Sequence, residues 1–558
     1  MKKSIRYTAL LLSVIISISL AACQKPDKNT DSSGMGIGNV TTGSTDVSQT
    51  ITTGSGTSTQ GTATDKTGSQ DSTKGSTVSS KDGSSVSSTK PVTNINEKRY
   101  EAEAAALKSG FKVTNPANYS GTGSVNVLDT DGAYVKFTVN VLEAGNYDVI
   151  AAYAAPANNA WFTLYLNGDT KNYKGVFLPK DKSFKRLCIP NVALKKGNNI
   201  IQFYNNKGGA VFDYIVVTKH GQDESYKNNV KVIPMSSELI DPKATPEARA
   251  VMKYLASIYG SKILTGQHLS PGAGNPQIAL IKQYTGKTPA LRGFDMLFQT
   301  DGADDKVEID SAIEAWKKDG ALVTFCWHWR ARLQYGKQSA YTNDTSFDVS
   351  KAVIPGTAEY QIIIKDIADV AAKLKRLQDE GVPVIWRPLH EAAGGWFWWG
   401  AKGADSYKKL WDIVYNELTV KHDIHNLIWV WNGQGQDWYV GDKKCDIAGY
   451  DIYNGKNPTD YDYSPGYPEY SQLMNFMGGR KMVALTENGP VPDPDMLIGA
   501  DVNWLWNMVW FGHIGVKMNA STADWTKPED LKRFYNSEYY ITCEELPDWS
   551  QYVKKHGK

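Results

Sequence analysis

The chain has 558 residues, a formal net charge of +2, and 17 Trp and 30 Tyr. A balance this even, with no basic run beyond the N-terminus, argues against nucleic acid as a partner. The length fits two or three domains, and the aromatic richness suits either stacking on sugar faces or a large core.

Lys2, Lys3 and Arg6 precede an apolar run from Tyr7 to Leu20, followed by Ala21-Ala22-Cys23. This reads as a secretory signal peptide (1–22) with a small-residue cleavage site. "LAAC" resembles the bacterial lipobox, which makes Cys23 the lipidated mature N-terminus and predicts an extracellular protein lipid-anchored to a bacterial cell surface. The alternative, a transmembrane anchor, is disfavoured because the run is short for a span. Residues 23–98 are Ser, Thr, Gly and Asp with scattered Lys, too polar to offset the entropy of folding, and read as a disordered tether. As a coil of about seventy residues it has a root-mean-square reach of roughly 45–50 Å.

From residue 99 to 220, short β-rich runs such as "AYVKFTVNV", "GNYDVIAAYA", "NNIIQFYNN" and "AVFDYIVVT" alternate with Gly, Asn and Pro signals. This spacing predicts a β-sandwich. A linker is expected over 221–235. Over 236–558 the pattern changes to strands alternating with helices: "KILTGQH", "TPALRGFDM", "ALVTFCWHW", "PVIWRPLHE", "NLIWVWNG", "DIAGYDIYN", "KMVALTENG" and "VNWLWNMVWF", with a long amphipathic helix in "AEYQIIIKDIADVAAKLKRLQDEG". Eight strands with helical crossovers predict a (β/α)8 barrel. An open doubly wound sheet is the alternative, weakened by the lack of a Gly-rich phosphate fingerprint after the first strand.

In such a barrel the active site lies at the C-terminal ends of the strands. Those ends are His268, Asp295, His328, His390-Glu391, Asn432, Asp451 and Tyr453, Glu487 and Trp510, while the strand interiors are aliphatic. Glu391 and Glu487 are placed to face each other across the mouth as a glycosidase carboxylate pair. Glu391, followed by Ala-Ala-Gly-Gly-Trp, is expected to stay protonated through desolvation; Glu487 is expected to have hydrogen-bond donors around it, with Tyr453 and Arg387 the candidates. The bland alternative for either glutamate is a helix cap or an ordinary arginine pair. "HEAAG" is not a zinc-protease helix, since the second histidine position is Gly394. No G-x-S-x-G elbow occurs, and no catalytic metal or cofactor is expected. The cysteines after Cys23 are scattered; a Cys445–Cys543 bridge is permitted but not demanded, and Cys188 and Cys326 read as buried thiols.

"RPLHE..GGWFWWG" and "LTENG" resemble glycoside hydrolase family 26, retaining endo-glycanases on a (β/α)8 barrel, most of them endo-β-1,4-mannanases acting on mannan and galactomannan. The resemblance implies Glu391 as acid/base and Glu487 as nucleophile. It places His328 and His390 at the −1 subsite, Trp396 as a stacking platform, Asp451 and Tyr453 as a pair whose tyrosine orients the nucleophile, and Trp510 as the floor of −1. Phe511 departs from the charged or amide residue expected after that tryptophan, which leaves β-1,3-xylan or mixed-linkage β-glucan open as substrates; a non-catalytic surface glycan-binding lipoprotein is the rival from another class. "YEAEAA", "AGNYDVIAAYA", "LKKGNNIIQF" and "VFDYIVVT" resemble a family 35 carbohydrate-binding module. That resemblance implies a structural calcium at Glu101, Glu103 and Asp213, oxygen ligands that suit this hard cation; solvated charges on an edge strand are the alternative for the glutamates. Tyr119, Trp161 and Asn205 are candidate sugar contacts in loops, although Trp161 suits a core position equally.

Overall fold

The computed structural model describes residues 98–558 apart from 115–118, 131, 179, 223–226, 228–229, 271–275, 301–305, 454–464, 514–525 and 527. The signal peptide, Cys23 and the tether lie outside the described residues.

Among the described residues, eleven strands form the N-terminal sandwich. They are β1 (Arg99–Glu101), β2 (Ala106–Lys108), β3 (Gly110–Thr114), β4 (Gly123–Val127), β5 (Tyr134–Val141), β6 (Gly145–Ala155), β7 (Ala160–Leu166), β8 (Asp169–Leu178), β9 (Asp181–Leu194), β10 (Gly197–Lys207) and β11 (Ala210–Lys219). One antiparallel sheet runs β3-β4-β11-β6-β9 with β1 added on β11; the other runs β2-β5-β10-β7-β8. In β5 the period of two is clean: Val135, Phe137, Val139 and Val141 are buried between the sheets. β6 breaks that alternation, every residue from Tyr147 to Ala155 being buried. The cause is a second covered face. Ile150 and Ala152, with Cys188, Tyr214 and Val216, pack on Ile498 and Tyr539 of the C-terminal domain, and Phe177 stacks on Tyr467 with centroids 4.1 Å apart. A Cβ on Gly499 would lie 2.6 Å from the Cys188 carbonyl oxygen, so the seam tolerates no side chain there. The sandwich is therefore packed against the barrel through an apolar seam.

The C-terminal part is a closed barrel of eight parallel strands: β12 (Ile263–His268), β13 (Leu291–Asp295), β14 (Leu322–Cys326), β15 (Val384–Arg387), β16 (Leu427–Trp431), β17 (Ile447–Ile452), β18 (Met482–Asn488) and β19 (Trp506–Val509). β12 pairs with both β19 and β13, which closes the ring and removes the open-sheet alternative. A short β20 (Tyr540–Ile541) adds to β12 from outside. The predicted long helix spans Ala358–Asp379. Thr357 caps it by accepting from the Tyr360 amide, Ile363, Ile367, Val370, Leu374 and Leu377 form its buried stripe, and Gly381 at φ 69° follows its end. Cys188, Cys326, Cys445 and Cys543 form no disulfide, so no Cys445–Cys543 bridge is present. Among the described residues no helix is long and apolar enough to cross a membrane.

Candidate active site

β15 stops at Arg387 because Pro388 has no amide hydrogen to continue the ladder. The turn that follows puts two non-glycine residues, Leu389 and Glu391, at φ 53°. Such left-handed conformations are strained and persist only when the surroundings over-determine them. Here the end of β16 supplies the hold. The Glu391 amide donates to the Asn432 carbonyl (2.7 Å) and the Ala393 amide to that of Gly433 (3.0 Å), while the Trp399 indole donates to the His390 carbonyl (2.8 Å). Trp398 and Trp399 are thus packing and anchoring residues, 1% and 0% exposed. Trp396 is only half-buried, and its indole N–H donates to Glu391 Oε2 at 2.8 Å. A Cβ on Gly394 would sit 2.1 Å from that indole ring, so the glycine makes room for Trp396 to fold back over the carboxyl. From the loop after β14, Thr342 braces the turn, its amide donating to the Trp396 carbonyl (2.7 Å) and its hydroxyl to that of Gly395 (2.9 Å).

Across the mouth, Arg387 donates to Glu487 Oε1 and, at 2.9 Å, to Asp451 Oδ2. The Tyr453 hydroxyl donates to Glu487 Oε2 at 2.6 Å. Both oxygens of Glu487 therefore face donors, from the two residues the sequence nominated. Thr486 was not nominated. A register shift between β17 and β18 pairs Tyr450 with Leu485 but Asp451 with Glu487, leaving Thr486 as the extra residue. This bulge lets consecutive side chains both serve the site: Thr486 Oγ1 donates to Asp451 Oδ1 (2.6 Å) and accepts from Asn432 Nδ2 (2.8 Å).

One carboxyl oxygen each of Glu391, Asp451 and Glu487 lies within 4.8 Å of the other two, with all three residues buried. Burial, reinforced by the charges of Asp451 and Glu487, raises the Glu391 carboxyl well above its ordinary range. Burial and the Glu487 charge push Asp451 up to about 7, against the pull of Arg387. Arg387 stays a cation because Asp451 and Glu487 outweigh its own burial. Burial and the nearby Arg387 charge lower His390 and His268 well below the usual imidazole range. Trp510 is 3% exposed and lies 4.7 Å from the His268 ring and 5.6 Å from that of His328. Phe511 is buried against Trp510 at 4.9 Å.

The raised Glu391 has a consequence for stability. Below about pH 4 the folded and unfolded states both hold the proton and no difference arises. As pH rises the unfolded chain loses its proton first, so unfolding is favoured. Glu391→Gln is therefore expected to raise the melting temperature at pH 8 relative to wild type, and the gain is expected to vanish near pH 4, by calorimetry at the two pH values.

In the sandwich, Glu101 and Asp213 meet at Ser120: its hydroxyl donates to Glu101 Oε2 (2.6 Å) and its amide to Asp213 Oδ1 (2.9 Å). The Thr122 amide donates to Glu103 Oε1 at 2.7 Å, while Glu103 Oε2 is buried without a hydrogen-bond partner among the described residues. Burial pushes Asp213 up to about 6, with the Glu101 and Glu103 charges adding to it. Tyr119, half-buried, adjoins this turn. Trp161 is not in a loop: it lies on β7, edge-on to Phe177, in a cleft shared with Pro465, Tyr467 and Glu469 of the barrel domain. Asn205 is corrected too. It is fully buried on β10, in register with Ile201 and Phe203, and its amide donates to the Leu128 carbonyl (2.8 Å) to hold that loop.

Residues 240–545 match the model of Glycosyl hydrolase family 26, over half of the chain. The chain belongs to that family. Residues 98–219 match Carbohydrate binding module (family 35). The family 26 chain is 36% identical to a mannan endo-1,4-beta-mannosidase of Thermothelomyces thermophilus over 81% of its own length and 90% of that protein's. It is 32% identical to mannan endo-1,4-beta-mannosidase B of a Piromyces species, over 81% and 77% of the two lengths. Among solved structures it is similar to a Podospora anserina GH26-CBM35 beta-(1,4)-mannanase (35% identity, 81% and 99% coverage, TM-score 0.55). A ruminal GH26 endo-beta-1,4-mannanase is also similar (31% identity, 81% and 98% coverage, TM-score 0.56).

Proposed function

We propose that this glycoside hydrolase is an endo-β-1,4-mannanase that cleaves internal bonds of mannan and galactomannan with retention of configuration. The observation that carries the reading is the approach of Glu391 and Glu487, with carboxyl oxygens within 4.8 Å in unlike surroundings. Retaining enzymes hold their carboxyl groups about 5–5.5 Å apart, whereas inverting ones leave about 6.5–9.5 Å for a water. The names carried by the relatives support mannan as the substrate class.

Glu391, kept protonated by burial, gives its proton to the glycosidic oxygen as the bond to the anomeric carbon breaks. Trp396 engages Oε2 and leaves Oε1 to carry that proton. Glu487 attacks the anomeric carbon, aimed by Arg387 and Tyr453, and forms a glycosyl ester. Glu391, now a carboxylate, takes a proton from water, which attacks the same carbon and frees Glu487. His328, His390 and Trp510 line the −1 subsite in this reading, and Asp451 holds Arg387 from its far side.

In the module, calcium fits the carboxylates at the Ser120–Thr122 turn. Glu103 Oε2, buried without a partner among the described residues, and the raised Asp213 both favour a cation, which would neutralise Glu101, Glu103 and Asp213 and tie β1 to β11. Lipidation at Cys23 and display on a bacterial surface belong to the same reading, supported by the "LAAC" sequence alone.

The test is a panel of mannan, galactomannan, β-1,3-xylan and mixed-linkage β-glucan, scored by reducing ends and product length. Release of short manno-oligosaccharides from mannan is expected. Hydrolysis only of one of the other glycans moves the substrate within the family, and binding without hydrolysis of any makes the chain a surface glycan-binding protein.

A further inference from the structure

Three side chains in the wall of the mouth form a line that the two-glutamate chemistry leaves unused. Asp295, at the tip of β13, accepts from the His328 amide at Oδ1 (3.0 Å), and its Oδ2 lies 2.7 Å from His328 Nδ1. On the other side of that ring, His328 Nε2 lies 3.2 Å from His390 Nε2. Among the described residues, His390 Nδ1 is buried with no hydrogen-bond partner.

Burial and the Arg387 charge oppose an imidazolium at His390, and proton counting then leaves this line two states. Nδ1 of His328 faces a carboxylate and carries a hydrogen in both. The two facing Nε2 atoms share one proton between them. If His328 is neutral, that proton belongs to His390, whose Nδ1 is then a bare acceptor. If His328 is an imidazolium, it donates to His390, and the neutral His390 carries its own proton on Nδ1.

We propose that Asp295 is a positioning residue: paired with His328, it keeps that ring doubly protonated, so the bond runs from His328 to His390 and leaves His390 Nδ1 as a donor for a substrate oxygen. The inference rests on the reading of this mouth as the glycan-cleaving site. Asp295 is 5% exposed, and a buried carboxylate without a cation is strongly disfavoured. The other groups facing the pair divide. Glu487 favours a cation at His328, while Arg387 opposes it. Arg387, His328 and His268 all oppose one at His390. The Cys326 thiol, 3.9 Å from His328 Nδ1, is held neutral by burial. The balance agrees with the geometry: burial opposes the charge on His328, but Asp295 outweighs it and raises this ring, while His390 is lowered. An unmet buried N–H is unfavourable, and the cost is relieved when a sugar hydroxyl arrives.

The experiment is nitrogen NMR of the full chain labelled in its eight histidines, with the His328 signals assigned by their loss in His328→Gln. Wild type at pH 7 is expected to show both ring nitrogens of His328 protonated. In Asp295→Asn, His328 is expected to be neutral at pH 7, and the basic limb of kcat/KM on mannohexaose is expected to move by about one pH unit or more to the acid side; Asp295→Glu is expected to restore both. A singly protonated His328 in wild type at pH 7 would overturn the proposal, as would an Asp295→Asn protein with the wild-type His328 state and pH profile. The spectra need no substrate, so an unfolded Asp295→Asn variant leaves the wild-type spectrum decisive. A chain inert on mannan would defeat the functional reading without touching the line of protons.

Discussion

Glu487→Ala is expected to lower kcat on mannan by about four to six orders of magnitude, the scale on which removal of a nucleophile acts in a covalent mechanism. The loss is expected in kcat and not in KM, because Glu487 engages the anomeric carbon only as the bond breaks. Stability at pH 7 is expected to hold. Arg387 keeps its second partner, Asp451, at 2.9 Å, and the Glu487 charge that helps push Asp451 up to about 7 is gone. Azide added to this variant is expected to occupy the vacated space and attack the anomeric carbon directly, giving a glycosyl azide of inverted configuration and recovering part of the rate. Thermal melts, initial rates with and without azide, and the configuration of the azide product separate this outcome from a folding defect. A variant that keeps more than about a hundredth of wild-type kcat would remove Glu487 from the nucleophile role.

Arg387→Met reverses the relation between activity and stability. Its guanidinium is the cation that Asp451 and Glu487 share, and all three groups are at most 3% exposed. Removing one partner of a buried ion pair is typically destabilising by about 3–5 kcal/mol, because the remaining charge has no solvent to turn to. The two carboxylates left behind then repel, and at least one is expected to retain its proton at neutral pH. A carboxyl raised in the folded state lowers stability as pH climbs above its unfolded value. The destabilisation is therefore expected to be smaller at pH 5 than at pH 8, by denaturant titration at both. Activity is expected to fall with it, since a protonated Glu487 is a poor nucleophile. A variant as stable as wild type at pH 8 would show that Arg387 does not neutralise the pair.

These outcomes depend on features that were unequally legible in the sequence. The eight barrel strands showed because most are short apolar runs ending in a polar or aromatic residue, a contrast the closed barrel explains: strand middles fill the interior and strand ends face the mouth. Glu391, Glu487, Arg387 and Tyr453 could be nominated for the same reason. Thr486 could not, since its inward turn comes from a bulge between β17 and β18, and no residue type marks it. The second role of Trp396, as a hydrogen-bond donor to Glu391, depends on the space left by Gly394, a tertiary fact. In the sandwich, Asn205 looked like a loop polar residue, but strand register put it inside, where one side-chain amide ties down a loop. The all-buried run of β6 read as an ordinary strand, and only the barrel packed behind it explains its lack of alternation.

Two glutamates this close are expected to act by double displacement. The most direct measurement is proton NMR of the anomeric signals during the first minutes of mannohexaose hydrolysis, before mutarotation. The reading predicts that the new reducing end appears as the β-anomer and drifts towards equilibrium. First appearance of the α-anomer would contradict it, because that product requires a water between the carboxylates and leaves Glu487 no covalent role.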